Sequence, residues 1–362
     1  MRKLYYLTNV NNWGEGITNK INTQMKIFKE NNFEVEYIML KRKNNKFLNY
    51  IERLTPLLSN NDYKKLNSIK KNSVIYIRHF DFDLGFILSL NKIKSNVDFI
   101  ILEIPTFPYD KELKGILKIL SYKDYIWRHF IYKYIDYVAT YSNDKEIYGI
   151  QTVNVSNFVT SFEHSVSKNN SDSNELNIIA VASLAYWHGY DRMIKGLYIY
   201  YKTSNPKKKI FFHLVGDGRV LKQLKSMVKK YGLDKYVIFY GRKSGKDLER
   251  IYEKCDIALD SLGRHRNNIY YNSSLKGKEY MAKGIPIVSG VKTELDNLNL
   301  PFYMRVPADE TPINVNKISN FYDSLLKLGI DKIRLEEIAY AKKHFNAQVC
   351  MQPILDIINE KK

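Results

Sequence analysis

The feature that most constrains this chain is an alternation of strand and helix patterns that runs through it twice. Residues 3–10, Lys-Leu-Tyr-Tyr-Leu-Thr-Asn-Val, read as a buried first strand, and a loop holding Gly14 and Gly16 follows. Residues 17–30 then set Ile17, Ile21, Met25 and Phe28 on one helical face, and Phe33 to Leu40 reads as a second strand. Strand, glycine loop, helix and strand make one βαβ unit. Strands at 73–78 and 97–103, with a helical segment at 84–93 between them, continue the pattern. Short strands at 137–142 and 152–157 close this half.

From about residue 160 to 175 Ser, Asn and Asp dominate and apolar periodicity vanishes, which marks a linker. The alternation then restarts. Strands at 177–182, 209–216, 236–241, 256–260 and 285–289 are interleaved with helices at 190–202, 219–231, 246–253 and 274–283. Further helices are predicted at 316–327 and 331–343. Such alternation predicts an α/β protein with parallel sheets covered on both faces. Two open sheets of this kind create a cleft at the carboxyl ends of their strands, where ligands bind.

Composition bounds the rest. The 362 residues favour two domains at roughly 100–200 residues each, and 29 Tyr and 17 Phe supply ample core. Cys255 and Cys350 are too few for a metal cluster or disulfide framework, and each lies in an apolar segment. They fit a reducing cytoplasm. The N-terminal apolar run is too short for a signal peptide, and no stretch approaches the ~20 apolar residues of a membrane span. The expectation is a soluble or surface-bound protein. A formal net charge of +19 calls for an anionic partner, with nucleic acid, anionic lipid and a phosphorylated substrate all open.

Ser273-Ser-Leu-Lys-Gly-Lys-Glu-Tyr-Met-Ala-Lys-Gly-Ile-Pro-Ile-Val has the physics of an anion site. A short polar loop holding Ser274 enters a helix through Leu275, and a helix N-terminus presents free N–H groups and partial positive charge. Lys276 and Lys278 in that first turn are unfavourable unless an anion joins them. A diphosphate would supply it. Elsewhere, Glu103 ends a buried strand before Pro105 and Pro108. It suits the orientation of a ligand hydroxyl, a base, or equally a salt-bridging carboxylate. His79 ends the neighbouring strand, placed for a ligand contact or for packing. Gly14 and Gly16 allow close approach to phosphate, but Asn19 breaks the Gly-x-Gly-x-x-Gly fingerprint of a dinucleotide site.

Taken together, these segments resemble family-4 glycosyltransferases, which have the GT-B fold. Glu279-Tyr-Met-Ala-Lys-Gly-Ile-Pro-Ile-Val is similar to the family's Glu-Ala-Met-Ala-x-Gly-x-Pro-Val-Val segment. Leu214-Val-Gly-Asp-Gly, with Gly216, resembles its Gly-x-Gly turn. Phe239-Tyr-Gly-Arg, ending at Arg242, and Cys255-Asp-Ile resemble the segments that follow. Ile179 to Ile194 resembles the opening strand and Lys-Gly loop of the donor domain, and Gly14-Glu-Gly-Ile the N-terminal loop. The matches keep family order over residues 1–290.

The resemblance implies two Rossmann-like domains with parallel sheets facing across a cleft: an acceptor domain at 1–160, a linker at 161–175, a nucleotide-sugar donor domain at 176–345 and a final helix at 346–362 crossing back to the first domain. It implies a retaining enzyme that moves a hexose from a nucleotide diphosphate sugar, expected to be a UDP-sugar. The acceptor would be a carbohydrate or lipid-linked oligosaccharide in bacterial capsule or exopolysaccharide synthesis. No metal cofactor is implied, and Asp81-Phe-Asp83 only imitates the Asp-x-Asp motif of transferases of another fold. The expected place is the cytoplasm, peripheral at the inner membrane face. Basic aromatic residues 111–137 and nine Lys/Arg in 41–71 suit an anionic membrane surface.

Carried over by position, Glu279 holds the donor ribose and the base lies near Tyr240-Gly241-Arg242. The sequence departs from the family pattern at three places. The first Glu of its Glu-x7-Glu motif is Tyr271, and the usual Arg and Lys on the diphosphate are Ser183 and His188. The missing charge is then expected from Arg264, His265, Arg266, Lys276 and Lys278, with Lys276 best placed. The other reading is a basic nucleic-acid- or membrane-binding protein with a degenerate transferase fold.

Overall fold

The computed structural model describes residues 1–9, 15–41, 55–57, 61–110, 122–162, 174–203, 206 and 208–360. Gly14, most of the expected linker, residues 111–121 and much of 41–71 lie outside them. The chain divides into two compact units, Met1–Ser156 with Ala347–Lys362, and Asn157–Asn346.

The first unit runs β1 (Arg2–Thr8), α1 (Glu15–Glu30), β2 (Phe33–Met39), β3 (Val74–Arg78), α2 (Leu84–Ile93), β4 (Phe99–Ile104), α3 (Tyr122–Trp127), β5 (Tyr137–Thr140), β6 (Glu146–Ile147) and β7 (Ile150–Asn154). Its seven strands are ordered β2-β1-β3-β4-β5-β7-β6. All neighbours are parallel except β6 with β7. Every residue of β3 and β4 is buried, as a strand covered on both faces requires. Asp83 is a helix cap: its carboxylate accepts the Phe86 N–H at 2.8 Å.

The second unit runs β8 (Glu175–Val181), α4 (Tyr190–Thr203), β9 (Lys209–Val215), α5 (Leu221–Lys230), β10 (Val237–Gly241), α6 (Gly245–Tyr252), β11 (Ile257–Leu259), α7 (Leu275–Ala282), β12 (Ile287–Ser289), β13 (Tyr303–Arg305), α8 (Val315–Leu328) and α9 (Ile330–His344). Its six strands are all parallel, ordered β10-β9-β8-β11-β12-β13. The last helix, α10 (Ala347–Glu360), belongs to the first unit. Arg2 Nη1 donates to the Ile358 carbonyl at 3.0 Å, and Asn31 Nδ2 to Gln348 Oε1 at 3.1 Å.

In the second unit the loops leaving β8, β9 and β11 press backbone on backbone. Gly189, at φ +67°, would place a Cβ 2.5 Å from the Gly263 nitrogen. Gly216, at φ +129°, would place one 1.8 Å from the Ala182 carbonyl oxygen. Only glycine fits either position. These loops are thereby fixed against one another.

Candidate functional site

Helix α7 starts at Leu275 because Ser274 caps it, its Oγ accepting the Gly277 N–H at 3.4 Å. The same hydroxyl donates to Asp260 Oδ1 at 2.7 Å, and Ser289 Oγ donates to Asp260 Oδ2 at 3.2 Å. Asp260 is 1% exposed and follows β11 directly. The sequence reading missed it. Its one signal is an acid placed at the end of a buried apolar strand.

Lys276 sits half-buried in the first turn of α7. Among the described residues it has no hydrogen bond or ion pair. Lost hydration pulls its ammonium down to about 8, with Asp260 and Glu279 opposing and Arg264 reinforcing. His188 ends a short turn, Tyr186–His188, and is buried. Burial first, then the charges of Lys276 and Arg264, hold its imidazole well below the ordinary range. Its Nδ1 accepts the Ala185 N–H at 3.0 Å, and its ring stacks on Tyr190 at 5.6 Å. An accepting Nδ1 leaves the proton on Nε2, so His188 is a neutral donor rather than a weak cation.

The five expected cations part ways. Arg266 is held by Asp191 at 2.8 and 2.9 Å and by Glu310 at 2.8 and 2.7 Å. His265 Nε2 also meets Glu310, at 2.8 Å. Lys278 is 1% exposed, paired with Glu294 at 2.8 Å and seated over the Phe345 ring at 4.0 Å. These three serve the packing of the unit. The charges that act on His188 are Lys276 and Arg264.

Of the other residues singled out in this unit, Ser183, Arg242 and Glu279 are exposed, and Leu275 and Tyr271 half-buried. Tyr271 bridges the backbone of Lys292. Gly216 does not offer its N–H to a phosphate: that group donates to the Gly241 carbonyl at 2.7 Å. The Gly-x-Gly turn is a packing device here.

In the first unit, Gly16 is exposed at the start of α1. Glu103 is fully buried at the end of β4, where strand register sets it beside Arg78. It accepts from Arg78 Nη1 at 2.8 Å, Tyr141 Oη at 2.9 Å, and Gln24 Nε2 and Tyr76 Oη at 3.1 Å, with Lys20 Nζ at 3.7 Å. Against the burial that would raise it, Arg78, Lys20 and these donors hold the carboxyl below the usual range. A carboxylate so enclosed anchors the unit and has no lone pair to spare for an acceptor hydroxyl.

His79 is also packed, its ring 4.5 Å from Tyr109 and 5.2 Å from Phe82. Burial, with Arg128 and Arg78 nearby, lowers it to about 3, so it is neutral. Its Nε2 lies 4.0 Å from Asp124. Asp124, also missed in the sequence, accepts the Phe82 N–H and the Tyr109 hydroxyl, both at 2.9 Å. Burial raises it to about 6. Among the described residues no group of three or more His, Cys, Asp or Glu is placed to hold a metal ion.

Residues 161–295 match the sequence model of the family described as glycosyl transferases group 1. A search of curated proteins finds no match. Among solved structures, the chain is similar to sucrose-phosphate synthase from Thermosynechococcus elongatus, at 12% identity, over 99% of each chain, with a TM-score of 0.68. It is similar to the lipopolysaccharide outer core galactosyltransferase WaaB, at 16% identity over 100% of each chain, TM-score 0.63. It is similar to Anabaena HepE in complex with UDP, at 11% identity over 99% of this chain and 100% of that one, TM-score 0.63. At these identities the likeness is one of fold. The chain therefore has the GT-B fold, and the glycosyl transferases group 1 pattern across the residues that carry Lys276 and Glu279 supports a glycosyltransferase.

Proposed function

We propose that the chain is a retaining glycosyltransferase that moves a hexose from a UDP-sugar to a carbohydrate or lipid-linked oligosaccharide, in bacterial capsule or exopolysaccharide assembly. The observation that carries the donor site is Lys276, an ammonium without a hydrogen bond or ion pair among the described residues, in the first turn of a capped helix. A nucleoside diphosphate supplies the missing anion. The leaving diphosphate gains negative charge in the transition state, where a preorganised cation and N–H groups act most strongly. In this reading Lys276 and the α7 N-terminus hold the phosphates, and His188 adds a neutral Nε2–H. Glu279 holds the ribose, the backbone near Tyr240–Arg242 the base, and Tyr271 faces the sugar. The leaving phosphate takes the acceptor proton, so no protein nucleophile and no metal is needed. The UDP bound by the HepE structure agrees with this choice of nucleotide.

The setting is the inner face of the membrane, with the basic stretches of sequence at 41–71 and 111–137 meeting anionic lipid. No helix of the described residues is long and apolar enough to cross a membrane.

Thermal-shift screening against UDP, GDP, dTDP and CMP tests the reading. One nucleoside diphosphate, UDP, should stabilise selectively, by about 2.7 kcal/mol at ~100 times its dissociation constant. If none does, and salt-sensitive nucleic-acid binding is found instead, the transferase reading fails. The neutral His188 gives a second expectation. A UDP-sugar has a diphosphate of constant charge between about pH 5.5 and 7.5, where a free histidine titrates. Its affinity, measured by calorimetry, should be flat there. A tenfold tightening towards pH 5.5 would show that His188 becomes charged.

A further inference from the structure

We infer that Asp260 is a positioning residue of the donor site, holding the first turn of α7 in place and setting its own negative charge near Lys276. The inference rests on the donor-site reading above and adds to it a buried carboxylate that touches no substrate atom.

The geometry is specific. Asp260 joins the ends of three elements: it follows β11, accepts from Ser289 at the end of β12, and accepts from Ser274, the cap of α7. Its backbone N–H donates to the Val288 carbonyl at 3.0 Å, which fixes it in the strand frame. The cap hydroxyl therefore works in two directions. It donates to Asp260 and accepts from Gly277. Taking away the acceptor frees that hydroxyl to rotate and loosens the turn that aims Lys276.

The second action is electrostatic. The charged and titratable groups acting on Lys276 are Asp260 beyond β11, Arg264 in the Arg264–Asn267 turn, and Glu279 one turn along its own helix. His188 faces it from the Tyr186–His188 turn and stays neutral. Asp260 is the larger of the two negative influences and the only buried one.

The test is UDP affinity by calorimetry between pH 7.5 and 9, where the terminal phosphate, with a second ionisation at about pH 6, is almost fully ionised. The wild-type protein should lose affinity as pH rises through about 8, where Lys276 loses its proton. Asp260→Asn should move that fall to lower pH by about one unit. Lys276→Arg, whose guanidinium does not titrate here, should abolish the fall in both backgrounds. A purely structural Asp260 would weaken binding without moving the midpoint, so an unmoved midpoint overturns the inference. So does a shift that persists with Lys276→Arg. If Asp260→Asn does not fold, Ser274→Ala decides: it should weaken UDP several-fold at every pH, and unchanged affinity in a folded variant sinks the positioning role. Failure of the wild-type protein to bind UDP would instead sink the donor-site reading itself.

Discussion

Lys276→Ala should weaken UDP binding by about tenfold to a hundredfold at pH 7, with no loss of stability in the free protein. The magnitude is that of a hydrogen bond to a charged group, about 1.5–3 kcal/mol. The absence of a stability cost follows from the site. Lys276 has no hydrogen bond or ion pair among the described residues to lose, and burial already disfavours its charge. Lys278→Ala, two residues along the same helix, should do the reverse. Its ammonium is 1% exposed and pairs with Glu294, so truncation leaves a carboxylate uncompensated and lowers the melting temperature. Its effect on UDP should be small once the variant is folded. Calorimetry and thermal denaturation on both variants separate the two lysines. Equal UDP affinities for Lys276→Ala and wild type would remove α7 from the donor site.

That contrast shows what the sequence can and cannot convey. The alternation of patterns was enough to place most strands and helices within a few residues, because parallel strands buried on both faces are long apolar runs. It missed β6, which is only two residues long, and β13, which is half-buried throughout and lacks the buried apolar run that marks the equally short β11 and β12. The phosphate-loop segment was legible through its cap, its lysines and its family resemblance. The partners were not. Nothing local separates Lys276 from Lys278; Glu294 does, and it arrives from beyond β12. Gly216 stood out through its likeness to the family's Gly-x-Gly turn, and the structure shows its N–H taken by Gly241 and its missing Cβ making room for Ala182. Asp260 and Asp124 drew no notice because single acids are common, and only burial among donors distinguishes them. Glu103 was visible as an acid at a strand end, but its donors come from α1, β3, β4's neighbours and the residue after β5.

Glu103→Ala should therefore be among the most destabilising substitutions in the first unit and should say little about chemistry. Arg78 is 4% exposed and Lys20 8%, and both face the same carboxylate. Removing one partner of a buried ionic cluster costs about 3–5 kcal/mol, because the remaining charges stay dehydrated. At about 2–4 °C per kcal/mol for a unit of this size, the melting temperature should fall by about 6–20 °C. Glu103→Gln keeps the shape and part of the hydrogen bonding but not the charge, and should lie between. The acid arm gives an independent sign. A carboxyl held below its unfolded value of about 4.3 contributes stability that is complete above that pH and is lost as pH falls through the lower folded value. Wild-type protein should lose this contribution on acidification, and Glu103→Gln should not. Activity at a temperature where both are folded completes the test. Loss of a general base costs about a hundredfold to ten-thousandfold in rate. Glu103→Gln should stay within a few-fold of wild type, and a hundredfold fall in kcat at unchanged folding would return Glu103 to the chemistry.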